Sequence, residues 1–205
     1  EAFFEDFERV VFYGAGPCGY AAAAYSVASP GAVIVAVQPQ ATLDPEIAGW
    51  DDRFPEMRRT NFTDRFGFAP RMAEGAAEMF LVYDPFSRLD AMHAALFQAG
   101  QVTRLKMRHM GGELQTDLMD MGILTPMLRA AADGALDASL FHELLRARRE
   151  HLPYLRRLLG KLTQEGRDEL ARLLCANVTS RMNAPRFAKR LQALEEAAAA
   201  EAGAD

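Results

Sequence analysis

Val10-Val11-Phe12-Tyr13-Gly14-Ala15-Gly16-Pro17-Cys18-Gly19-Tyr20-Ala21-Ala22-Ala23-Ala24 is the stretch on which the fold turns. Its first four residues are β-branched or aromatic, the composition of a short strand buried on both faces. A glycine turn follows at Gly14, Gly16 and Gly19. The small residues from Ala21 to Val27 then read as a helix able to lie close on a sheet, and Pro30-Gly31 stops it. Ala32 to Val37 is a second buried strand. Strand, tight turn, helix and strand in that order predict the opening unit of an α/β domain.

The alternation continues outward from this unit. Met79 to Tyr83 reads as a third strand, Asp90 to Phe97 as a helix, Val102 to Met107 as a fourth strand, and Glu113 to Met121 as a helix ended by Gly122. This order predicts a parallel sheet with flanking helices and right-handed crossovers, its ligand-facing loops at the carboxyl ends of the strands. Between Gln38 and Ala77 lies a polar, proline-punctuated stretch with Trp50, Asp51, Asp52, Arg58, Arg59 and Asp64, which reads as an excursion at that carboxyl edge. From Thr125 onward no strand pattern survives, and leucines recur at helical spacing. Pro153, Gly160, Gly166 and Pro185 divide this tail into three or four helices, and the alanine and glutamate run after Leu194 is expected to fray. The chain is thus expected to comprise an α/β domain over 1–128 and an all-helical C-terminal region over 129–205. A strand entered so soon after Glu1 also predicts that the domain continues before it.

The chain has 205 residues, half of them apolar and a quarter charged, with a net charge of -5. This composition is globular, and it lacks the basic stripe of a protein that binds nucleic acid through phosphates. The longest nearly apolar stretch, Tyr20 to Val37, is interrupted by Ser26, Ser29, Pro30 and Gly31, so no membrane span is expected. Cys18 and Cys175 are the only cysteines, too few for a disulfide framework, and a reducing cytoplasm is the expected setting.

The glycine turn supports two readings. As G-x-G-x-x-G, Gly14, Gly16 and Gly19 match a dinucleotide fingerprint, whose glycines let the backbone approach a pyrophosphate at a helix N-terminus. That reading calls for NAD, FAD or ATP. It also calls for an acidic residue on the ribose at the end of the second strand, where the sequence has Val37-Gln38-Pro39-Gln40. As a strand-to-helix elbow, the turn is similar to the G-x-S-x-G nucleophile turn, with Gly16 where the serine would stand. On this second reading no cofactor is expected.

The second reading draws on more of the chain. The segments 11–20, Pro30-Gly31-Ala32, Pro39-Gln40, Tyr83-Asp84-Pro85-Phe86, Asp90 with His93-Ala94, and Met121-Gly122-Ile123-Leu124 resemble the carboxyl half of an α/β-hydrolase domain. The likeness is greatest to the variants found beside bacterial surface-polysaccharide and glycosyl-transfer genes. It implies an acid just after the third strand, where Asp84 lies, and a histidine in the loop before the last helix. In that loop, Arg108-His109-Met110-Gly111-Gly112-Glu113, the expected Gly-His pair is Gly111-Gly112, and His109 comes three residues early. A triad needs a nucleophile, a base and an orienting acid. Gly16 has no side chain to attack with. Cys18 at the start of a helix could supply a thiolate to a Cys18, His109 and Asp84 set, although Tyr20 then stands where close packing calls for glycine. Asp84-Pro85 is equally a turn starter and helix cap.

Other clusters read as structural. Asp90 and His93 lie three apart on one helix face, suiting a surface polar pair or a weak metal pair, and Asp44, Asp51 and Asp52 suit a solvated loop near Trp50. His142-Glu143-Leu144-Leu145-Arg146 misses the H-E-x-x-H zinc helix because a guanidinium cannot coordinate zinc, so no metal site is expected. The segment Arg146–Lys161 carries six basic residues and suits an acidic partner. Some sequences similar to this one carry the label phosphoadenosine phosphosulfate reductase. That family's S-G-G-x-D-S loop and E-C-G-x-H cysteine do not occur here, and Cys175 reads as helix core.

The leading expectation is a catalytically degenerate α/β-hydrolase-like protein that binds or scaffolds a small molecule or protein partner, linked to surface-glycan assembly. The alternatives are an active esterase or thioesterase using Cys18 or His109 with Asp84, and a nucleotide-binding module.

Overall fold

The structure, a computed structural model, describes residues 2–202, and the chain divides into two compact units, Glu1–Arg146 and Ala147–Asp205. In the first unit β1 (Val11–Ala15), β2 (Val33–Val37), β3 (Glu78–Tyr83) and β4 (Val102–Lys106) form one parallel sheet in the order β1-β2-β3-β4. Parallel neighbours require a crossover. Here α1 (Pro17–Ala24) leads from β1 to β2. The short helices α2 (Pro45–Ala48) and α3 (Ala69–Met72) lie in the excursion between β2 and β3, and α4 (Arg88–Leu96) joins β3 to β4. Then come α5 (Leu114–Asp120), α6 (Leu124–Ala132) and α7 (Ala138–Leu144).

Burial follows from the strand sequences. Every residue of β2 is buried, as its unbroken Val-Ile-Val-Ala-Val run requires of an inner strand. Edge strand β4 buries Leu105 and exposes Arg104 and Lys106, charges that discourage a further strand from pairing there. One face of the sheet contributes Ile34, Ala36, Met79 and Leu81 to a core closed by Ala23 and Ala24 of α1, Ala69 of α3, and Ala94 of α4 with Phe97 after it. Val33, Val35 and Val37 point to the other face and are equally buried; α6 packs on β2 and α7 on β4.

Helix α1 begins at Pro17, earlier than the alanine run at Ala21 suggested. Proline is preset for the first helical position, and the glycines let the helix start while still against the strand. A Cβ on Gly14 would lie 2.0 Å from the Cys18 carbonyl oxygen, and one on Gly19 would come within 3.2 Å of Pro39.

The strandless stretch after Thr125 begins inside the first unit, with α6 and α7. The second unit contains α8 (Leu152–Gln164), α9 (Asp168–Arg181) and α10 (Pro185–Ala202), α9 packing on both of the others. Tyr154, Leu155, Ala171, Cys175, Val178, Phe187 and Leu194 are among the buried residues of its helices. Gly160 sits within α8 and does not divide it, since one interior glycine costs a helix only about 1 kcal/mol. Gly166, at φ 64°, follows the end of α8. The alanine and glutamate run expected to fray is helical to Ala202, because both residues are strong helix formers. No helix among the described residues is long and apolar enough to cross a membrane.

Candidate functional site

The loops at the carboxyl ends of β1, β2 and β4, with Asp90 of α4, converge on a cleft of about 330 Å³, bordered by Gly16, Gln38, Gln40, Arg53, Asp90 and Glu113. Open parallel sheets place ligands at this edge. Gly16 forms the corner between β1 and α1 with φ 53° and ψ -124°, its N–H donating to the Val37 carbonyl at 2.8 Å. Unlike Gly14 and Gly19, it has nothing within 4 Å of where a Cβ would stand. Close packing therefore accounts for two of the three glycines, and backbone conformation for the third.

Gln38 follows β2 with φ 47°, an uncommon conformation for a residue with a side chain. Its amide nitrogen donates to Asp90 Oδ2 at 2.7 Å, and its amide oxygen accepts the Leu114 N–H at 3.1 Å, so it joins α4 to the start of α5. Ser87 Oγ also donates to Asp90 Oδ2, at 2.7 Å. The Arg53 guanidinium reaches from the excursion and bridges two carboxylates. Nη1 donates to Asp90 Oδ1 at 2.6 Å, while Nε and Nη2 donate to Asp51 at 3.0 and 2.8 Å. These bonds use three of its five N–H groups and leave two for a ligand. The Arg53 side chain is 32% exposed, whereas its carboxylate partners are buried.

Behind Asp51 lies His93, fully buried. Nδ1 accepts the Ala41 N–H at 3.1 Å, which fixes the proton on Nε2, and Nε2 donates it to Asp51 Oδ2 at 2.8 Å. Burial pushes the imidazole below its usual range despite the neighbouring Asp51, so it is neutral near pH 7. Burial works to raise the Asp51 carboxyl, but hydrogen bonds from Arg53 and His93 together outweigh it and hold the group at about 2. With both nitrogens engaged and no exposure, His93 cannot act as a base on a ligand. The surface pair expected at Asp90 and His93 and the solvated loop expected at Asp51 are therefore corrected: excursion and α4 bury these groups against each other.

Asp84 directly follows β3 and is 2% exposed. Oδ1 accepts the N–H groups of Phe86 at 2.9 Å and His109 at 3.2 Å, and Oδ2 accepts that of Gly111 at 2.8 Å. Its carboxylate thus holds the loop after β4 by the backbone. His109, at φ 63°, stacks its ring on Phe86 with centroids 3.9 Å apart. Cys18 is exposed in the first turn of α1 and does not border the cleft. The expected acid and the expected histidine loop do come together, joined through main-chain N–H groups.

No family model, curated protein or solved structure matches this chain significantly.

Nothing in the sequence distinguishes Arg53 from the other arginines of the aperiodic stretch between β2 and β3, which carry no spacing signal. The Asp90-x-x-His93 spacing and the acids around Trp50 were the available signs, and pairing them required the excursion's path. The arrangement can donate hydrogen bonds from a fixed guanidinium and from carboxamide N–H groups, and can accept them at carboxamide and carboxylate oxygens. The described residues that border the cleft include no serine, cysteine or histidine.

Proposed function

We propose that the first unit is an α/β-hydrolase-like scaffold that has given up covalent catalysis and binds a hydroxyl-rich ligand, such as a sugar, in the cleft above Gly16. The observation that carries this reading is Gly16 itself. The elbow that would present a nucleophile presents bare backbone and open space. Asp84 supports it, since its carboxylate is committed to three backbone N–H groups. The lining supports the ligand class. Gln38, Gln40, Arg53 and Asp90 mix donors and acceptors, and Gln38, Arg53 and Asp90 brace one another, as recognition of vicinal hydroxyls requires. The link to surface-glycan assembly rests on the sequence resemblance alone.

The test pairs binding with turnover. Thermal shift against a panel of monosaccharides and methyl glycosides should find a stabilising sugar, with the shift lost in Arg53→Gln. A p-nitrophenyl ester and a thioester should remain uncleaved. Hydrolysis abolished by Cys18→Ala or Asp84→Asn would overturn the reading in favour of an esterase or thioesterase. A shift produced by NAD, FAD or ATP and by no sugar would overturn it in favour of a nucleotide module.

A further inference from the structure

Beside the polar cleft, across a wall formed by Pro17, Gln40 and Phe54, lies a second cavity of about 600 Å³ between α1 and the excursion. No part of the reading above uses it. Its volume is that of a drug-sized ligand. Five aromatic rings line it: Tyr20 and Tyr25 at and after α1, and Phe54, Phe62 and Phe66 from the excursion.

The rings are held in place. Tyr20 donates its hydroxyl to the Phe66 carbonyl oxygen, and packs edge to face on Phe62 at 5.7 Å; Tyr25 packs on Phe66 at 5.0 Å. The turn carrying Phe62 and Phe66 is tight. A Cβ on Gly67 would stand 1.7 Å from the Phe62 carbonyl oxygen, and Asn61 accepts the Thr63 N–H at 2.8 Å and donates to Asp64 at 2.7 Å. An aromatic wall fixed this way does not need to collapse to be stable, and it offers a preformed apolar surface.

The charges are of one sign. Among the described residues that line the cavity, the formally charged ones are Glu56 and Asp64, and no cation joins them. Two of these rings already hold cations that do not line the cavity: the Arg53 guanidinium lies 5.5 Å from the Phe54 centroid and that of Arg65 lies 5.1 Å from the Phe66 centroid. Ring faces attract cations through their quadrupoles, and carboxylates at the same cavity add to that attraction.

We infer that this cavity binds an amphipathic organic cation, an apolar body bearing an ammonium group. The apolar body lies among the rings, and the ammonium sits toward Glu56 and Asp64. The inference rests on the cavity alone, so it stands or falls independently of the sugar reading of the cleft.

Calorimetric titration of the full chain with (4-phenylbutyl)trimethylammonium, 4-phenylbutanol and 4-phenylbutyrate tests it, since the three probes share a body and differ in charge. The ammonium should bind tightest and the carboxylate weakest. Each exposed carboxylate should contribute about a two- to five-fold preference for the cation, less at high salt. Glu56→Gln should weaken the ammonium by that factor and leave the alcohol unchanged. Asp64→Asn should do the same, and Glu56→Gln carries the test alone if the Asn61 to Asp64 loop needs the carboxylate. Ala21→Phe, which fills the cavity from α1, should remove binding of all three while the circular dichroism spectrum is kept. Equal affinity for ammonium and carboxylate, an ammonium affinity indifferent to Glu56→Gln, binding retained in Ala21→Phe, or no saturable ammonium binding at millimolar concentration would each overturn the inference.

Discussion

Replacing Asp84 by asparagine changes one oxygen to an amide nitrogen and leaves the shape of the side chain intact. The native carboxylate accepts three backbone N–H groups, two on Oδ1 and one on Oδ2. Asparagine can keep its oxygen toward Phe86 and His109, but its NH₂ then faces the Gly111 N–H, donor against donor. One charge-assisted bond is lost outright, at about 1.5–3 kcal/mol, and the other two become neutral and weaker, so the total is about 2–4 kcal/mol. At about 2–4 °C per kcal/mol for a unit of this size, Tm should fall by roughly 5–15 °C. Trp50, the only tryptophan, lies in the first unit with its ring 4.6 Å from His93, so its fluorescence in a urea titration follows that unit. Hydrogen exchange at the Gly111 amide should accelerate in the folded variant. A loss below about 1 kcal/mol, with Gly111 still protected, would refute the assignment of Asp84 as the anchor of the loop after β4.

The glycines of the turn should separate by cause. Gly14→Ala places a methyl 2.0 Å from a backbone oxygen and should prevent α1 from seating, measured as lost cooperative unfolding, whereas Gly16→Ala meets nothing and should cost only the strain of its φ 53°, ψ -124° backbone, about 1–3 kcal/mol in a urea titration. The chain should lose stability on acidification in two stages. His93 is depressed in the fold, so its contribution is complete above about pH 6.5 and falls as pH drops below that value; Asp51, at about 2, adds a second loss between about pH 4 and pH 2 worth about 2 kcal/mol. His93→Gln should flatten the first stage in urea midpoints measured from pH 8 to pH 5, and an unchanged slope would contradict a neutral buried imidazole. Iodoacetamide should modify Cys18 in the folded protein and spare Cys175, which is buried and whose thiol burial pushes up; mass spectrometry of the two peptides reads the result.

Strand and helix order was legible because it depends on composition over short windows. The unbroken apolar run Val33–Val37 reads as an inner strand, and the glycine turn reads as a strand-to-helix corner, although the helix begins at Pro17 and not at Ala21. The excursion between β2 and β3 was not legible in the same way. Its short helices are defined by proline at their starts and, for α3, by contacts with α1, with no period long enough to read. The cleft inherits that difference. Gln38 and Asp84 follow strands and could be placed from sequence, while Arg53 reaches Asp90 across 37 positions of chain that only the folded excursion brings together.

The strands lie across the sheet in the order in which they occur along the chain, and this bears on assembly. Each new strand adds to the last one formed, and no strand must be inserted between two that are already paired. Such a sheet can grow from one side during synthesis. The exception in pace is the step from β2 to β3, where the long excursion must close before Val33 can pair with Glu78. Loop closure makes that pairing the slow one. Until β3 arrives, the wholly apolar β2 has an open edge, so the interval while the excursion folds is when the nascent chain is most exposed to aggregation.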